Sequence, residues 1–352
     1  MKQLKLNYLL IALAFVATLA SCHKDKVVPD TGTPGSQRIG LYVLNQGGFF
    51  ANNSTLTYYD YATKALIPDQ YTVANSAKIG DTGNDAGIYG SKMFIVVNNS
   101  NVIDVVSANN AKLIKQITLS QPRSVVFYKN NAFVTSYNNT VSVIDTASLT
   151  ITKTINVGRS PEQMVVANGK LYVANSGGLD YPNVDKTVSV IDLTTLTESK
   201  KVTVIANPVT ITADTYGNVY VLSLGDYGAV KAGMTVIDNT TDVVKSQTNL
   251  NLGYNIPVTA LGDFVYYATG DNKIAVYNAK TQAAASANFI TDGTTITAPY
   301  AITTDSSTGE VFVTDAKDYS SNGVLYAFDK TGKKEYSITV GINPGKIALY
   351  TK

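Results

Sequence analysis

The sequence predicts an all-β fold, a seven-bladed β-propeller of four-stranded antiparallel blades whose ring is closed by pairing of the N- and C-terminal strands. The first observation is a cluster of short apolar runs, Met164–Ala167, Leu171–Ala174 and Val188–Ile191, with a weaker one at Lys201–Ile205. These runs are rich in Val, Ile and Tyr and are bounded by turn residues, which is typical of strands. Asn168-Gly169 joins the first two runs as a tight hairpin, because both residue types tolerate positive φ.

The second observation is that this unit recurs at a spacing of roughly 40–50 residues, the period of propeller blades. A Pro opens the first strand of a unit at Pro122, Pro161, Pro208, Pro257, Pro299 and Pro344. The second strand begins near Met93, Ala132, Leu171, Val219, Phe264 and Val311. The third begins near Asn101, Thr140, Thr187, Met234, Ile274 and Val324. A single meander of this kind cannot cover both of its faces, so it must stack against its copies.

The third observation concerns the two ends of the repeat array. The first unit has a second strand from Ile39 and a third from Thr55, but no first strand precedes them. Lys346–Tyr350 is a first strand with no second strand after it. The two ends therefore complete one blade, which closes the ring without a long unpaired edge. Seven units are counted in this way, with six or eight blades as the alternatives.

Composition supports one all-β domain over residues 38–352. Charged residues make up 15% of the chain and the net charge is +2. No basic block is present, which argues against nucleic acid as a partner.

The N-terminus predicts a membrane-anchored lipoprotein. Residues 1–21 are a signal peptide, with Lys2 and Lys5 before the apolar run Leu9–Ala20, which is too short to span a bilayer. Leu19-Ala20-Ser21-Cys22 resembles a bacterial lipobox, so Cys22 is the expected lipidation site and residues 22–37 a flexible tether. The alternative is an ordinary secretory signal with an incidental Cys. The cell surface is preferred over the periplasmic side of the outer membrane. The short acidic run that follows the Cys in some surface-exported lipoproteins is represented only by Asp25, between Lys24 and Lys26, so the periplasmic side is left open as the alternative.

Loop lengths indicate which face of the propeller carries the site. The loops between second and third strands are long in four units, Asn45–Ser54, Asn175–Lys186, Leu224–Gly233 and Asp315–Gly323. They are short in the other three, Asn98–Asn101, Ser136–Asn139 and Gly270–Asn272. The opposite face has tight turns throughout. Because function concentrates on the elaborated loops of a rigid scaffold, the site is expected on the long-loop face around the central channel.

Aromatic, amide and guanidinium side chains on that face are the candidate ligand-binding residues. They are Asn45, Gln46, Phe49, Asn98, Arg123, Tyr137, Arg159, Asn175, Tyr181, Tyr227, Tyr254 and Tyr319. Tyr and Phe offer flat contact area, and amides both donate and accept hydrogen bonds. For the aromatics, packing within the loops is the alternative reading. Arg123 and Arg159, each beside a strand-opening Pro, form either a polar ring at the channel mouth or inter-blade salt bridges.

Several other residue patterns bear on catalysis and metal binding. The Asp closing each third strand is expected to accept backbone N–H groups of the next turn; these are Asp145, Asp192, Asp238 and Asp329. The pairs Asp81 with Asp85 and Asp180 with Asp185 could bind Ca²⁺, but neither has the dense alternating oxygen spacing of a dedicated calcium loop, so no metal is expected. No cofactor is expected either. His23 is the only histidine and lies in the tether, which excludes His-dependent catalysis in the propeller.

Four long stretches resemble a known family. They are LYVLNQGGFFANNSTLTYYD, GDTGNDAGIYGSKMFIVVNNSNVIDVV, SQPRSVVF with AFVTSYNNTVSVID, and VGRSPEQMVVANGKLYVANSGGLDYPNVDKTVSVIDL. They resemble the YncE-like or surface-layer propeller lipoproteins, which include the BtuG-type cell-surface cobalamin-binding lipoproteins. The resemblance covers essentially everything after the tether. It implies a seven-bladed propeller that captures a corrinoid and passes it to a TonB-dependent outer-membrane transporter.

The expected function is therefore non-catalytic capture of a nutrient, with a corrinoid as the ligand implied by the resemblance. The first alternative is a protein- or glycan-interaction scaffold of the cell surface. The second is a propeller enzyme such as a lyase or a quinoprotein, which the absence of Trp and of a propeller His disfavours.

Overall fold

A computed structural model describes residues 37–352 and shows seven four-stranded antiparallel sheets, which confirms the predicted propeller. The predicted signal peptide, Cys22 and nearly all of the tether lie outside the described residues. From blade 1 to blade 7, the innermost strands are β28 (Pro344–Thr351), β4 (Gly83–Tyr89), β8 (Pro122–Tyr128), β12 (Pro161–Ala167), β16 (Pro208–Ala213), β20 (Val258–Leu261) and β24 (Pro299–Thr304).

The remaining strands follow in the same order of blades. The second strands are β1 (Arg38–Asn45), β5 (Lys92–Val97), β9 (Asn131–Ser136), β13 (Lys170–Asn175), β17 (Asn218–Ser223), β21 (Phe264–Ala268) and β25 (Val311–Asp315). The third are β2 (Thr55–Asp60), β6 (Val102–Ser107), β10 (Thr140–Asp145), β14 (Thr187–Asp192), β18 (Gly233–Asp238), β22 (Ile274–Asn278) and β26 (Val324–Phe328). The outer strands are β3 (Leu66–Ile67), β7 (Leu113–Thr118), β11 (Thr150–Asn156), β15 (Thr197–Thr203), β19 (Val243–Asn249), β23 (Ala283–Ser286) and β27 (Lys334–Thr339).

The hydrophobic cores lie between neighbouring blades, one at each of the seven junctions. Second strands supply much of each core because they are buried on both faces; in β5 every residue from Met93 to Val97 is fully buried. This explains why the sequences of the second strands are continuous apolar runs rather than alternating apolar and polar residues. Phe94 and Val134, from blades 2 and 3, share one such core. The seven junctions make every blade depend on its two neighbours.

The ring is closed as predicted by the two ends of the propeller. β28 pairs antiparallel with β1, from Arg38 opposite Thr351 to Asn45 opposite Pro344. Two backbone bonds extend this pairing: Gln37 N donates to Lys352 O at 2.6 Å, and Lys352 N donates to Gln37 O at 2.9 Å. The innermost strand of blade 1 is thus contributed by the C-terminus, and no blade is left with an open inner edge.

Two elements differ from the sequence prediction. The outer strand of blade 4, β15, lies at Thr197–Thr203, whereas it was predicted at the apolar run Lys201–Ile205. Outer strands are mostly exposed, so their sequences contain few of the apolar residues that mark a strand. A six-residue helix, α1 (Gln70–Asn75), follows β3 and was not predicted. The Asp69 side chain caps it by accepting from Thr72 N, and Tyr71 is buried in the core between blades 1 and 2. Within the described residues no helix is long and apolar enough to cross a bilayer.

The predicted turn chemistry is confirmed. Asn168 and Gly169 have φ values of 49° and 70°, which is the positive-φ pair of a two-residue hairpin. The Asp that closes β10 accepts from the backbone N–H groups of Ala147 and Ser148 at 3.1 and 2.7 Å. Asp192 and Asp238 accept from two backbone N–H groups in the same way, and these bonds lower the pKa of Asp145, Asp192 and Asp238. At Asp329 the pKa is lowered first by the Thr331 hydroxyl and then by the backbone N–H groups of Lys333 and Thr331.

Buried tyrosines predict a loss of stability at alkaline pH. Burial raises the pKa of Tyr58, Tyr61 and Tyr300 to about 12, whereas phenols of an unfolded chain ionise near pH 10. Between about pH 10 and 12 the unfolded chain therefore binds fewer protons than the folded one, and the free energy of unfolding falls as pH rises. In that pH window we expect phenolate absorbance to increase as the β-sheet circular dichroism signal decreases. Complete tyrosine ionisation near pH 10 with the sheet intact would contradict this.

Candidate binding site

The structure confirms the loop lengths on which the site prediction rests. The connections at residues 46–54, 176–186, 224–232 and 316–323 lie on the face where the innermost strands begin, which we call the long-loop face. The opposite, tight-turn face carries the short hairpins between first and second strands and between third and fourth strands. The central channel opens between the long loops, lined by the first residues of the innermost strands.

One position in every blade contributes to the channel mouth. The residue that follows the strand-opening Pro, or Gly83 in blade 2, lines a single cavity of about 290 Å³. We call these seven residues the mouth ring: Gly345, Asn84, Arg123, Glu162, Val209, Val258 and Tyr300, from blade 1 to blade 7. Blades 2 to 4 give the ring a polar arc, and blades 5 and 6 give it an apolar arc.

The polar arc is a bonded cluster centred on Arg123. Its Nε and Nη2 donate to Glu162 Oε2 at 3.0 and 2.8 Å, and its Nη1 donates to Asn84 Oδ1 at 2.6 Å. The guanidinium also lies 4.7 Å from the ring centre of Tyr137, whose hydroxyl donates to Glu162 Oε1. The cluster joins blades 2, 3 and 4. Arg123 is therefore both an inter-blade salt bridge and part of a polar ring at the mouth.

Electrostatics keep this cluster charged. The Arg123 and Glu162 side chains are only 19% and 12% exposed. Burial opposes the charged guanidinium and is the largest single effect, but the Glu162 carboxylate and its hydrogen bonds, together with Tyr137 and Tyr300, outweigh it and raise the pKa of Arg123. Burial and the same carboxylate raise the pKa of Tyr137, so its phenol stays protonated as a donor. The two charges cancel within the cluster, and the polar arc presents hydrogen-bonding groups without a net charge.

The remaining part of the mouth ring is shaped by Gln46 and Gly345. The Tyr300 hydroxyl donates to Gln46 Oε1 at 2.6 Å, which brings blades 7 and 1 together. A Cβ on Gly345 would lie 3.0 Å from Gln46 Nε2, so glycine there leaves room for the glutamine side chain. On the apolar side, Asn255 lines the cavity, and its amide nitrogen is buried without a hydrogen-bond partner. A bound acceptor oxygen would satisfy that donor.

Asp85 and Lys346 form a second ion pair in the cavity wall, 2.8 Å apart. The other carboxylate oxygen of Asp85 accepts from Ser124 Oγ and Val125 N at 2.7 and 2.9 Å. Asp85, weighed above with Asp81 as a calcium ligand, thus ties blade 2 to blades 1 and 3. Residues 37–352 contain no group of three His, Cys, Asp or Glu side chains placed to hold a metal ion.

Exposed aromatic side chains surround the mouth. Tyr181 and Tyr227, from the long loops of blades 4 and 5, have ring centres 5.8 Å apart and are 62% and 58% exposed. Tyr254, on the connection between blades 5 and 6, is 80% exposed and also lines the cavity. Tyr319 lies 6.1 Å from Tyr300. We call Tyr181, Tyr227, Tyr254 and Tyr319 the aromatic rim.

Phe49 and Phe50 form a separate pair in the long loop of blade 1. Their ring centres are 4.1 Å apart, and the side chains are 66% and 75% exposed.

Three predicted residues lie inside the propeller rather than on its surface. Asn45 and Asn175 are fully buried and occupy equivalent positions at the ends of β1 and β13. Asn175 Nδ2 donates to Thr187 and Ser189, both at 3.0 Å, and Asn45 bonds to its own blade in the same way. Asn98 Nδ2 donates to Pro122 O at 3.1 Å across a blade junction. Their amide nitrogens are occupied by bonds within the fold, although Asn45 Oδ1 is buried without a partner.

Arg123 and Arg159 do not occupy equivalent positions in their blades, although they were paired in the sequence analysis because each lies beside a strand-opening Pro. Arg123 follows its Pro and enters the mouth ring, whereas Arg159 lies two residues before Pro161 and is 44% exposed. Its guanidinium pairs with Asp180 at 2.5 Å and donates to Asn183 O at 2.6 Å. Asp180 and Asp185, weighed above as a calcium pair, instead hold Arg159 against the loop of its own blade.

Sequence reasoning missed Asn84, Glu162, Tyr300 and Asn255. The first three could have been found from the repeat itself, because each follows the start of an innermost strand as Arg123 does. Asn255 lies in an irregular connection, and nothing in the repeat marks it.

A family model described as "Domain of unknown function (DUF5074)" matches residues 39–343. A search of curated proteins gave no significant match. Among solved structures, similarity is found to Kuenenia stuttgartiensis hydrazine synthase, with a TM-score of 0.65, 14% identity and coverage of 76% of this chain and 89% of that one.

Two further structures are similar. A quinoprotein alcohol dehydrogenase-like protein from Bacteroides thetaiotaomicron gives a TM-score of 0.64 at 19% identity, with coverage of 89% of this chain and 78% of that one. Apo AztD from Citrobacter koseri gives 0.57 at 12% identity, with coverage of 90% and 98%. At these identities the likeness establishes the fold alone.

Proposed function

The chain belongs to the DUF5074 family, and from that premise we propose that it is a non-catalytic ligand-capturing protein whose long-loop face binds a small molecule. The observation that carries this proposal is the mouth ring, a cavity of about 290 Å³ with one polar and one apolar arc inside a rim of exposed aromatics. Binding pockets combine convergent polar groups with apolar contact area. Here polar groups predominate in the wall, and Val209, Val258 and the aromatic rim supply the apolar contacts.

The charges at the mouth favour a ligand that is neutral where it enters. Both ion pairs that line the cavity, Arg123 with Glu162 and Lys346 with Asp85, are already paired within the protein. A strongly charged group would have to break one of them, at the cost of leaving its partner buried and unpaired. An amide or hydroxyl needs no such change, because Asn255 Nδ2 is an unused donor in the same wall.

The size of the cavity indicates a ligand that lies mainly on the face. A volume of about 290 Å³ is at the lower end of the range for drug-sized ligands, so a larger molecule would insert one limb only. The rest would contact the aromatic rim, where Tyr254 and Tyr227 offer flat surfaces of low conformational entropy. A corrinoid, which combines a broad ring with amide side chains, is the ligand we propose on the basis of the family resemblance.

We also propose that the protein is an outer-membrane lipoprotein, anchored through Cys22 and facing the cell surface, which serves a TonB-dependent transporter. The lipobox-like Leu19-Ala20-Ser21-Cys22 and the same resemblance support this. No catalytic step is proposed. Residues 37–352 contain neither His nor Cys, and the cavity carboxylates Asp85 and Glu162 are both held in ion pairs rather than free for acid–base work.

Calorimetric titration of the purified protein with cyanocobalamin tests the ligand. We expect saturable binding of one molecule per chain, since the propeller has one mouth. No heat and no spectral change at high micromolar ligand would defeat the corrinoid proposal. Phe49 was also predicted to contact the ligand, but the Phe49–Phe50 pair lies in the long loop of blade 1 and outside the aromatic rim. We therefore expect Phe49→Ala/Phe50→Ala to leave the cyanocobalamin affinity unchanged.

The exposed Phe49–Phe50 pair favours a second function, a protein-interaction scaffold. Paired exposed aromatics are typical anchors of protein interfaces. If this function holds, Phe49→Ala/Phe50→Ala loses a partner that the unmodified protein retains from solubilised membranes without added ligand. Loss of that partner with unchanged cyanocobalamin affinity would separate the two functions.

A further inference from the structure

Both ends of the propeller emerge on the tight-turn face. β1 begins at Arg38 on that face and ends at Asn45, beside Gln46 of the channel mouth. Gln37 is bonded to Lys352 on the same side. The segment that precedes Gln37 therefore joins the propeller at the end farthest from the candidate site.

The attachment point is fixed to the body of the propeller. Arg38 Nε lies 2.8 Å from Asp305 Oδ2, and the same guanidinium pairs with Glu310. The ring of Tyr61 lies 4.4 Å from the guanidinium carbon. Asp305 and Glu310 belong to blade 7, so this clamp joins the start of β1 to the neighbouring blade. The start of β1 is therefore held in a fixed position relative to the rest of the propeller, so the preceding segment joins a rigid body.

We propose that the anchored protein presents its long-loop face away from the membrane that holds Cys22. This inference rests on the lipidation of Cys22 under the proposed function and adds the orientation of the site. A ligand arriving from the medium meets the mouth ring directly. A partner embedded in the same membrane meets the tight-turn face first, and reaches the ligand only if the propeller turns over or the partner extends above it.

The length of the preceding segment supports this orientation. Fifteen residues, 23–37, separate Cys22 from Arg38, and fully extended they span about 50 Å. To turn the long-loop face toward the membrane, the segment must pass from β1 to the outer strand, about 10 Å, and then along the height of the blade, about 25 Å. About 15 Å then remains to reach the lipid. The turned-over arrangement thus commits about 35 Å of the roughly 50 Å segment to the path around the blade, which restricts its conformations and is entropically costly.

Two single-cysteine variants of blade 1 test the orientation. Ala51 lies in the long loop and Ala62 in the turn after β2 on the opposite face, and both are exposed. Cys22 is the only native cysteine, so a thiol dye on lipidated Ala51→Cys or Ala62→Cys labels one face selectively. The processed lipoprotein is reconstituted in vesicles that carry an acceptor lipid. We expect greater energy transfer from position 62 than from position 51.

Equal or reversed transfer in vesicle-bound protein overturns the orientation while leaving the anchor intact. Vesicle attachment that survives in Cys22→Ala instead overturns the anchor, and the orientation falls with it. Deleting residues 28–35 leaves a segment of about 25 Å, too short to pass around the blade, and is expected to increase the difference in transfer. Inserting fifteen Gly and Ser residues is expected to reduce it. Equal transfer in the deletion variant would overturn the proposal.

Discussion

Replacing Arg123 with alanine is expected to lower the free energy of unfolding by about 2–3 kcal/mol, below the usual cost of breaking a fully buried pair because both side chains are slightly exposed. The substitution leaves the Glu162 carboxylate without its cation and removes the contact with the Tyr137 ring. It also breaks the bond to Asn84, which joins blade 3 to blade 2. Urea unfolding would show a lower midpoint at an unchanged denaturant dependence.

Two variants control for the loss of an arginine as such. Arg159→Ala removes a guanidinium that also pairs with an aspartate, but that pair is 44% and 60% exposed, so we expect a change below about 1 kcal/mol. Arg123→Ala/Glu162→Gln removes both charges and should recover part of the loss, since no unpaired carboxylate remains. If Arg123→Ala cost no more than Arg159→Ala, the polar arc would not stabilise the ring.

The difference between the two arginines shows why the fold is easier to predict than the site. Propeller strands repeat, and the second strands are buried on both faces, so runs such as Met93–Val97 are legible as strands from composition alone. A site residue is set by its place within the repeat. Arg123 and Arg159 both lie near a strand-opening Pro, yet only the residue after the Pro enters the mouth ring. The two arginines were grouped in the sequence analysis because both lie close to a Pro. Arg159, which precedes its Pro, is not part of the mouth ring.

Asparagines show a second limit of sequence reasoning. Asn45 and Asn175 end second strands at the long-loop face and were predicted to bind ligand, but they turn inward and hold the loop start through Thr and Ser hydroxyls. Asn255 differs because it lines the cavity and its amide nitrogen is buried with no partner. Amides serve both purposes, and only the tertiary surroundings decide. The outer strand at Thr197–Thr203 was misplaced by a few residues and α1 was missed, because these segments carry few apolar residues in a strand or helix pattern.

The rim tyrosines lie exposed on the long-loop face, and their chemistry leads to the second large expected effect. Combining Tyr181→Ala, Tyr227→Ala and Tyr254→Ala should weaken cyanocobalamin binding at least a hundredfold, because each aromatic anchor is expected to contribute about 1 kcal/mol or more. The free energy of unfolding should hardly change, since these side chains are 62%, 58% and 80% exposed. Titration calorimetry and urea unfolding measure the two quantities.

A matched control removes exposed aromatics from the tight-turn face. Tyr216 and Phe264 lie there and are 45% and 38% exposed, so Tyr216→Ala/Phe264→Ala removes exposed aromatic side chains, although a smaller surface, without approaching the mouth ring. Binding should be unchanged in this variant. An equal loss in both variants would mean that the effect is not specific to the long-loop face. Full affinity in the triple variant would place the ligand elsewhere, since a molecule larger than the mouth cavity cannot seat on that face without touching the rim.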